Sequence, residues 1–140
     1  VIAMIARAFI AQDPYVVWGN GEQIRNWTHV DDIVSGTILA AEKIADGTAI
    51  NLGTMERTRV IDAVHEVLSY TGHDGQIELH PEMPTGPMNR VADNALARRL
   101  LDWSPQVNFV DGLHRTLEWY FSTKDRDKVR DVLEERLTER

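Results

Sequence analysis

Arg25, Arg90 and Asp93 are the residues whose types best suit an anionic or hydroxylated ligand, with Val16 and Trp18 as flat apolar neighbours. Arg25 stands in "VVWGNGEQIRNWTHVDD", among β-branched and aromatic residues where a cation needs a partner. The planar guanidinium fork donates two parallel bonds to a phosphate, which suits Arg25 and Arg90 to an anion. Val16 or Trp18 offers a wall against which a nucleobase stacks, as in apolar pockets with a few oriented polar groups. Asp93 suits either a ribose hydroxyl or the cap of a helix beginning at Asn94. The alternative for Arg25 is a structural ion pair with Asp31 or Asp32, a common arrangement in proteins.

Other chemistries are poorly supported. The five histidines, His29, His65, His73, His80 and His114, lack the spacing of a zinc helix motif. No serine lies in a nucleophile-elbow context. With no cysteine, the chain has no disulfide, thiolate metal site or cysteine nucleophile. "GNG" (Gly19 to Gly21) reads as a hairpin turn rather than the strand-to-helix turn of a dinucleotide fingerprint. "YFSTK", Tyr120 to Lys124, has the Tyr-x-x-x-Lys spacing of a proton-shuttling pair. Tyr120 falls on the apolar stripe of a helix, however, so it reads as core. No catalytic residue and no metal ligand is assigned within the chain.

The elements that position these residues follow from periodicity and punctuation. Val1 to Ala11 is apolar nearly all round and predicts a helix buried on several sides, stopped by Asp13-Pro14. Tyr15 to Trp18 predicts a strand, Gly19-Asn20-Gly21 a hairpin turn, and Gln23 to Val30 the returning strand. Asp31 and Asp32 predict a helix start, acting as caps and dipole partners, and Ile33 to Ile44 follow at helical spacing. Thr48 to Leu52 predicts a strand closed by Gly53. A helix from Thr58 to Gly72 and a strand from Gln76 to His80 come next. The proline-rich loop "PEMPTGPMNR" precedes a helix over Asn94 to Leu101, and a longer helix starts near Val110. The terminal "KDRDKVRDVLEERLTER" predicts a solvated amphipathic helix carrying Val129, Val132, Leu133 and Leu137. Strands alternating with helices give an α/β class, a mixed α+β lobe with a small sheet, a hairpin and covering helices.

The totals set limits. A chain of 140 residues suits one domain, with residues 125–140 as a charged helical extension to a lobe of residues 1–124. A formal net charge of −7 argues against nonspecific nucleic-acid or acidic-membrane binding. The apolar runs are too short to span a membrane, and the first residues make a poor signal peptide. The opening reads as a helix entered from an earlier part of a longer protein, so the chain is expected to be a fragment. A cytoplasmic location is expected.

At this point the ordered motifs resemble a known family. "VVWGNGEQIRNWTHVDDIVSGTILAAEK", "AINLGT", "PTGPMNRVADNALARRLLDWSP" and "FVDGLHRTLEWY" look like successive segments of the extended short-chain dehydrogenase/reductases. These are NAD(P)-dependent epimerases, dehydratases and decarboxylases of nucleotide sugars. The likeness runs from about Val1 to Lys124; "GPMNRVADN" especially resembles the corresponding loop of GDP-mannose 3,5-epimerases, with UDP-glucuronate decarboxylases and GDP-fucose synthases as close alternatives. It implies the C-terminal, substrate-binding lobe of a Rossmann-type enzyme whose cofactor lobe is absent. NAD or NADP would then bind the missing lobe of the complete enzyme, and the chain alone would hold no cofactor and catalyse nothing.

The resemblance implies that Arg25 contacts the diphosphate of a GDP- or UDP-linked sugar. It implies that Val16 and Trp18 flank the base, that Arg90 reaches the nucleotide or its phosphates, and that Asp93 is structural. The implied partners are the nucleotide sugar and the missing lobe, with no nucleic acid and no membrane; a homodimer is compatible with it. Three departures stand out: Asn26 replaces the usual aspartate after the arginine, Asp102 replaces the glycine of "LGW", and Met88-Asn89 replace a basic residue of some relatives. A stand-alone, non-catalytic binding or interaction module is the alternative.

Overall fold

The computed structural model describes residues 1–138, with side chains through residue 133. The unbroken apolar character of the first residues gives helix α1 (Ile2–Phe9), which buries Ile5, Ala6, Ala8 and Phe9. It is pinned to strand β1 (Tyr15–Trp18) by the Tyr15 hydroxyl, which donates to the Met4 carbonyl at 2.7 Å. Alternation then divides β1: Tyr15 and Val17 are buried, while Val16 and Trp18 are half-buried.

The glycine turn after β1 does not make the expected hairpin. Strand β1 pairs in parallel with β4 (Ile77–His80), Tyr15 opposite Ile77 and Trp18 opposite His80. The Tyr15 amide donates to the Gln76 carbonyl and the Gly19 amide to the His80 carbonyl, extending that ladder at both ends. The second strand, β2 (Ile24–Arg25), joins a separate three-stranded sheet instead. It lies between β3 (Thr58–Arg59), antiparallel, and β5 (Asn89–Arg90), parallel. The Asn-Gly signal thus marks a real change of direction, with Gly19 and Gly21 both at positive φ, but the ladder partners come from distant sequence.

Helix α2 (Val30–Lys43) follows β2. Its cap is His29, whose Nδ1 accepts from the Asp31 amide at 3.3 Å, rather than Asp31 or Asp32. Helices α3 (Val60–Thr71), α4 (Ala95–Leu101), α5 (Phe109–Thr123) and α6 (Arg126–Thr138) lie close to where periodicity predicts them. The stretch from Thr48 to Leu52 is not a strand in this structure: no described segment runs beside it to complete a ladder. Ile50 and Leu52 nevertheless pack inward, as the alternation requires.

The larger apolar cluster joins α1, β1, α3 and α5 through Ile5, Tyr15, Val64, Val67 and Leu117, all at 0% exposure. Each such aliphatic side chain contributes about 1.5–3 kcal/mol relative to an exposed one. Val129 and Leu133 of α6 pack against its edge, and the side chain of Leu137 lies outside the described residues. A smaller cluster of Ala97, Leu101 and Trp103 rests on α2. Among the described residues no helix is long and apolar enough to cross a membrane.

Candidate functional site

Arg25 and Arg90 are brought together. They are register partners on the parallel strands β2 and β5, so their side chains leave the same side of the sheet. Arg25 is half-buried and Arg90 is exposed. The Arg25 guanidinium donates from Nη1 to the carbonyls of Ile24 (2.7 Å) and Pro87 (2.8 Å), and from Nη2 to that of Thr85 (2.7 Å). The bonds to Pro87 and Thr85 hold the loop between β4 and β5 against β2. Among the described residues no carboxylate lies within 4.0 Å of Arg25 or Arg90.

The ion-pair alternative therefore fails. Asp31 faces His29 at 3.4 Å and Arg115 at 3.9 Å. Asp32, only 4% exposed, accepts from the amides of Gln106 (2.9 Å) and Val107 (3.0 Å). A third arginine on the same sheet shows the contrast. Arg59 of β3 makes a forked pair with Asp62 at 2.7 and 2.8 Å and reaches Glu22 at 3.4 Å. Arg59 is neutralised within the fold; Arg25 keeps its charge uncompensated.

Val16 and Trp18 are also brought together, in a different place. They line a groove of about 1030 Å³ that also has Met4, Tyr120, Val129 and Val132 along its walls. Neither arginine lines that groove. What separates the pairs is the Gly19–Gln23 turn, with Gln23 at 3% exposure.

Asp93 behaves as a cap, its Oδ1 accepting from the Ala95 amide at 2.9 Å at the entry to α4. Asn26 donates from Nδ2 to the Thr54 carbonyl at 2.8 Å and ties β2 to the 53–54 turn. That approach depends on Gly53, where a Cβ would stand 2.9 Å from the Ala92 Cβ and 3.1 Å from Asn26 Nδ2. Tyr120 is core, 5% exposed and edge-on to Phe9, and burial raises its pKa. Lys124 sits over the Trp119 ring instead of beside Tyr120 as a proton-shuttle partner.

The buried polar residues beside the site whose roles sequence reading did not find are Gln23 and Asp32. A composition signal existed only for Asp32, and it pointed to a helix cap. Among the described residues no group of three or more His, Asp or Glu side chains is arranged to hold a metal.

Comparison with known proteins decides the family. The GDP-mannose 4,6 dehydratase family model matches residues 1–116. The chain belongs to that family. It is thereby one of the extended short-chain dehydrogenase/reductases of the epimerase/dehydratase type, as its motifs suggested. GDP-mannose 3,5-epimerase 1 of Oryza sativa subsp. indica is 28% identical over 130 residues, 93% of this chain and 34% of that protein. The epimerase Mth375 of Methanothermobacter thermautotrophicus superposes with a TM-score of 0.81 at 30% identity, over 91% of this chain and 38% of that one. UDP-glucuronic acid 4-epimerase of Bacillus cereus, solved with UDP-glucuronic acid and NAD, gives 0.78 at 27% identity, over 87% and 39%. The chain spans about a third of the length of the curated relatives it matches. The family's α/β architecture is shared, with each structural relative covered only in part.

Proposed function

We propose that this chain is the nucleotide-sugar-binding lobe of a longer NAD(P)-dependent epimerase, dehydratase or decarboxylase, acting on a GDP- or UDP-linked sugar. One observation carries the reading: two arginines stand side by side on one sheet, with no carboxylate among the described residues to neutralise either. Like charges placed opposite each other on a sheet are unfavourable, and a diphosphate relieves that repulsion. Arg25 is pre-oriented by its three carbonyl contacts, so little side-chain freedom is lost on binding. Val16 and Trp18 supply the wall for the base.

The lobe contributes binding energy remote from the reacting sugar carbon, which positions that carbon for chemistry performed elsewhere. The residues here do not form a dinucleotide cradle. The Gly19–Gly21 turn leads into a strand, and the first amides of α3, from Val60 and Ile61, are already taken by the carbonyls of Gln23 and Gly21. We assign the NAD or NADP of the complete enzyme to its remaining part, no catalytic step to this chain, and a cytoplasmic setting to the whole.

The test is titration of GDP- and UDP-linked sugars into the complete polypeptide by calorimetry. Saturable binding of one class, weakened on the order of 30-fold by Arg25→Ala, about 2 kcal/mol, is the expected result. Unchanged affinity in that variant overturns the role of Arg25. Binding without turnover by the complete polypeptide would instead indicate a non-catalytic module.

A further inference from the structure

We infer that helix α6 is part of the ligand site: it supplies a second wall of the base groove, with Val132 packing on the nucleobase that Val16 and Trp18 receive. This rests on the nucleotide-binding reading above. Val129, Val132 and Leu133 of α6 line the same groove of about 1030 Å³ as Val16 and Trp18. The helix lies beyond residues 1–116, so this wall does not come with the family match. Packing between two elements leaves few voids larger than a water molecule, whereas ligand pockets run to about 300–1,000 Å³. The helix therefore walls the groove without filling it.

The start of α6 is fixed to the lobe, not free in solvent. Asp125 caps it, its Oδ1 accepting from the Lys128 amide at 3.0 Å, and the Arg126 guanidinium lies over the Phe9 ring, 5.4 Å from its centroid. Val129 and Leu133, one turn apart, pack on the larger apolar cluster. Val132 belongs to the same stripe yet is 46% exposed where it lines the groove. With its neighbours anchored, Val132 buries that surface only against a molecule that enters.

Arg7 gives the chemistry of that molecule. It lines the groove at 8% exposure, its Nε buried without a hydrogen-bond partner, while its Nη1 reaches the Ala3 carbonyl at a long 3.4 Å. Buried donors are nearly always bonded, so this one calls for an acceptor that arrives with a ligand. The ring nitrogens and carbonyls of a nucleobase are such acceptors, and its flat faces suit the apolar walls. Among the described residues three cations, Arg7, Lys124 and Lys128, and one carboxylate, Asp125, line the groove, a balance that favours a ligand carrying phosphate. A purely apolar occupant would leave Arg7 Nε unbonded.

The experiment titrates GDP and UDP into the complete polypeptide and its Val132→Asp variant, and records nuclear Overhauser contacts between the Val132 methyl groups and the base protons of the bound diphosphate. Val132→Asp is expected to weaken the preferred diphosphate about tenfold, the scale of one buried valine, with the melting temperature unchanged because the residue is nearly half exposed. A methyl-to-base contact is expected in the saturated wild-type complex. Unchanged affinity in Val132→Asp, tighter binding that shows α6 obstructing the groove, or no such contact at saturation overturns the inference. If Val132→Asp lowers the melting temperature, the wild-type contact alone decides. Failure of the wild-type polypeptide to bind either diphosphate overturns the nucleotide reading itself, and this inference with it.

Discussion

Arg25 and Arg90 occupy directly opposed positions on parallel strands, yet only Arg25 is bonded into the fold. Their substitution should separate stability from binding. Arg25→Ala removes three charge-assisted bonds to carbonyls and frees the loop between β4 and β5, a loss of about 2 kcal/mol in stability alongside weaker nucleotide binding. Arg90→Ala removes an exposed side chain, so its urea midpoint should stay within about 0.5 kcal/mol of wild type while nucleotide affinity falls. Equal stability losses in both variants would show that neither arginine is held for a ligand.

Asp32 is a buried anchor for the chain leaving α4. Each carboxylate oxygen accepts one backbone amide, from Gln106 and Val107, and the Asp32 carbonyl accepts from Trp103 Nε1 at 3.2 Å. Asp32→Asn keeps the shape but turns an NH2 toward an amide donor. The expected cost is about 1–3 kcal/mol, read as a lower urea midpoint with an unchanged slope. An unaffected midpoint would mean that water replaces these bonds at no cost.

The helices were largely legible because their apolar spacing is local information, and the structure places α1, α3, α4, α5 and α6 close to the residues predicted for them. The strand partners were not. Tyr15 pairs with Ile77, and Ile24 with Asn89, so neither ladder leaves a mark in the few residues around an Asn-Gly turn. The same limit applied to Asp32, whose position at a helix start matches a cap while its actual partners lie more than seventy residues away. At the candidate site, residue type identified the arginines. Only the three-dimensional arrangement showed that Arg25 has no carboxylate among the described residues, or that Val16 and Trp18 line a groove that neither arginine reaches.

Asp102 takes over a glycine's role at strain. It ends α4 with φ 56° and ψ 38°, the left-handed conformation, and its amide continues the helix bond to Arg98 at 3.1 Å. A non-glycine residue in that region costs about 1–2 kcal/mol, and glycine adds roughly 0.4–1 kcal/mol of unfolded-state entropy in opposition. Asp102→Gly should therefore raise stability by about 0.5–1 kcal/mol, visible as a higher urea midpoint. A fall would show that the aspartate side chain compensates its backbone.

His80 gives the chain a pH-dependent clasp beside Trp18. Its Nδ1 bonds Glu82 Oε1 at 2.9 Å, and its Nε2 meets Glu78 Oε1 at 2.9 Å. The hydrogen bond to Glu82, reinforced by the charges of Glu82 and Glu78, raises the histidine above its ordinary value of 6.5. A pKa raised on folding stabilises the fold fully below 6.5, and that contribution disappears as pH climbs through the raised value. Proton-detected titration of the imidazole should accordingly show a midpoint above 6.5. His80→Gln should flatten the matching decline in stability as pH rises above 6.5. A midpoint at or below 6.5 would mean that the two carboxylates do not hold the ring in solution.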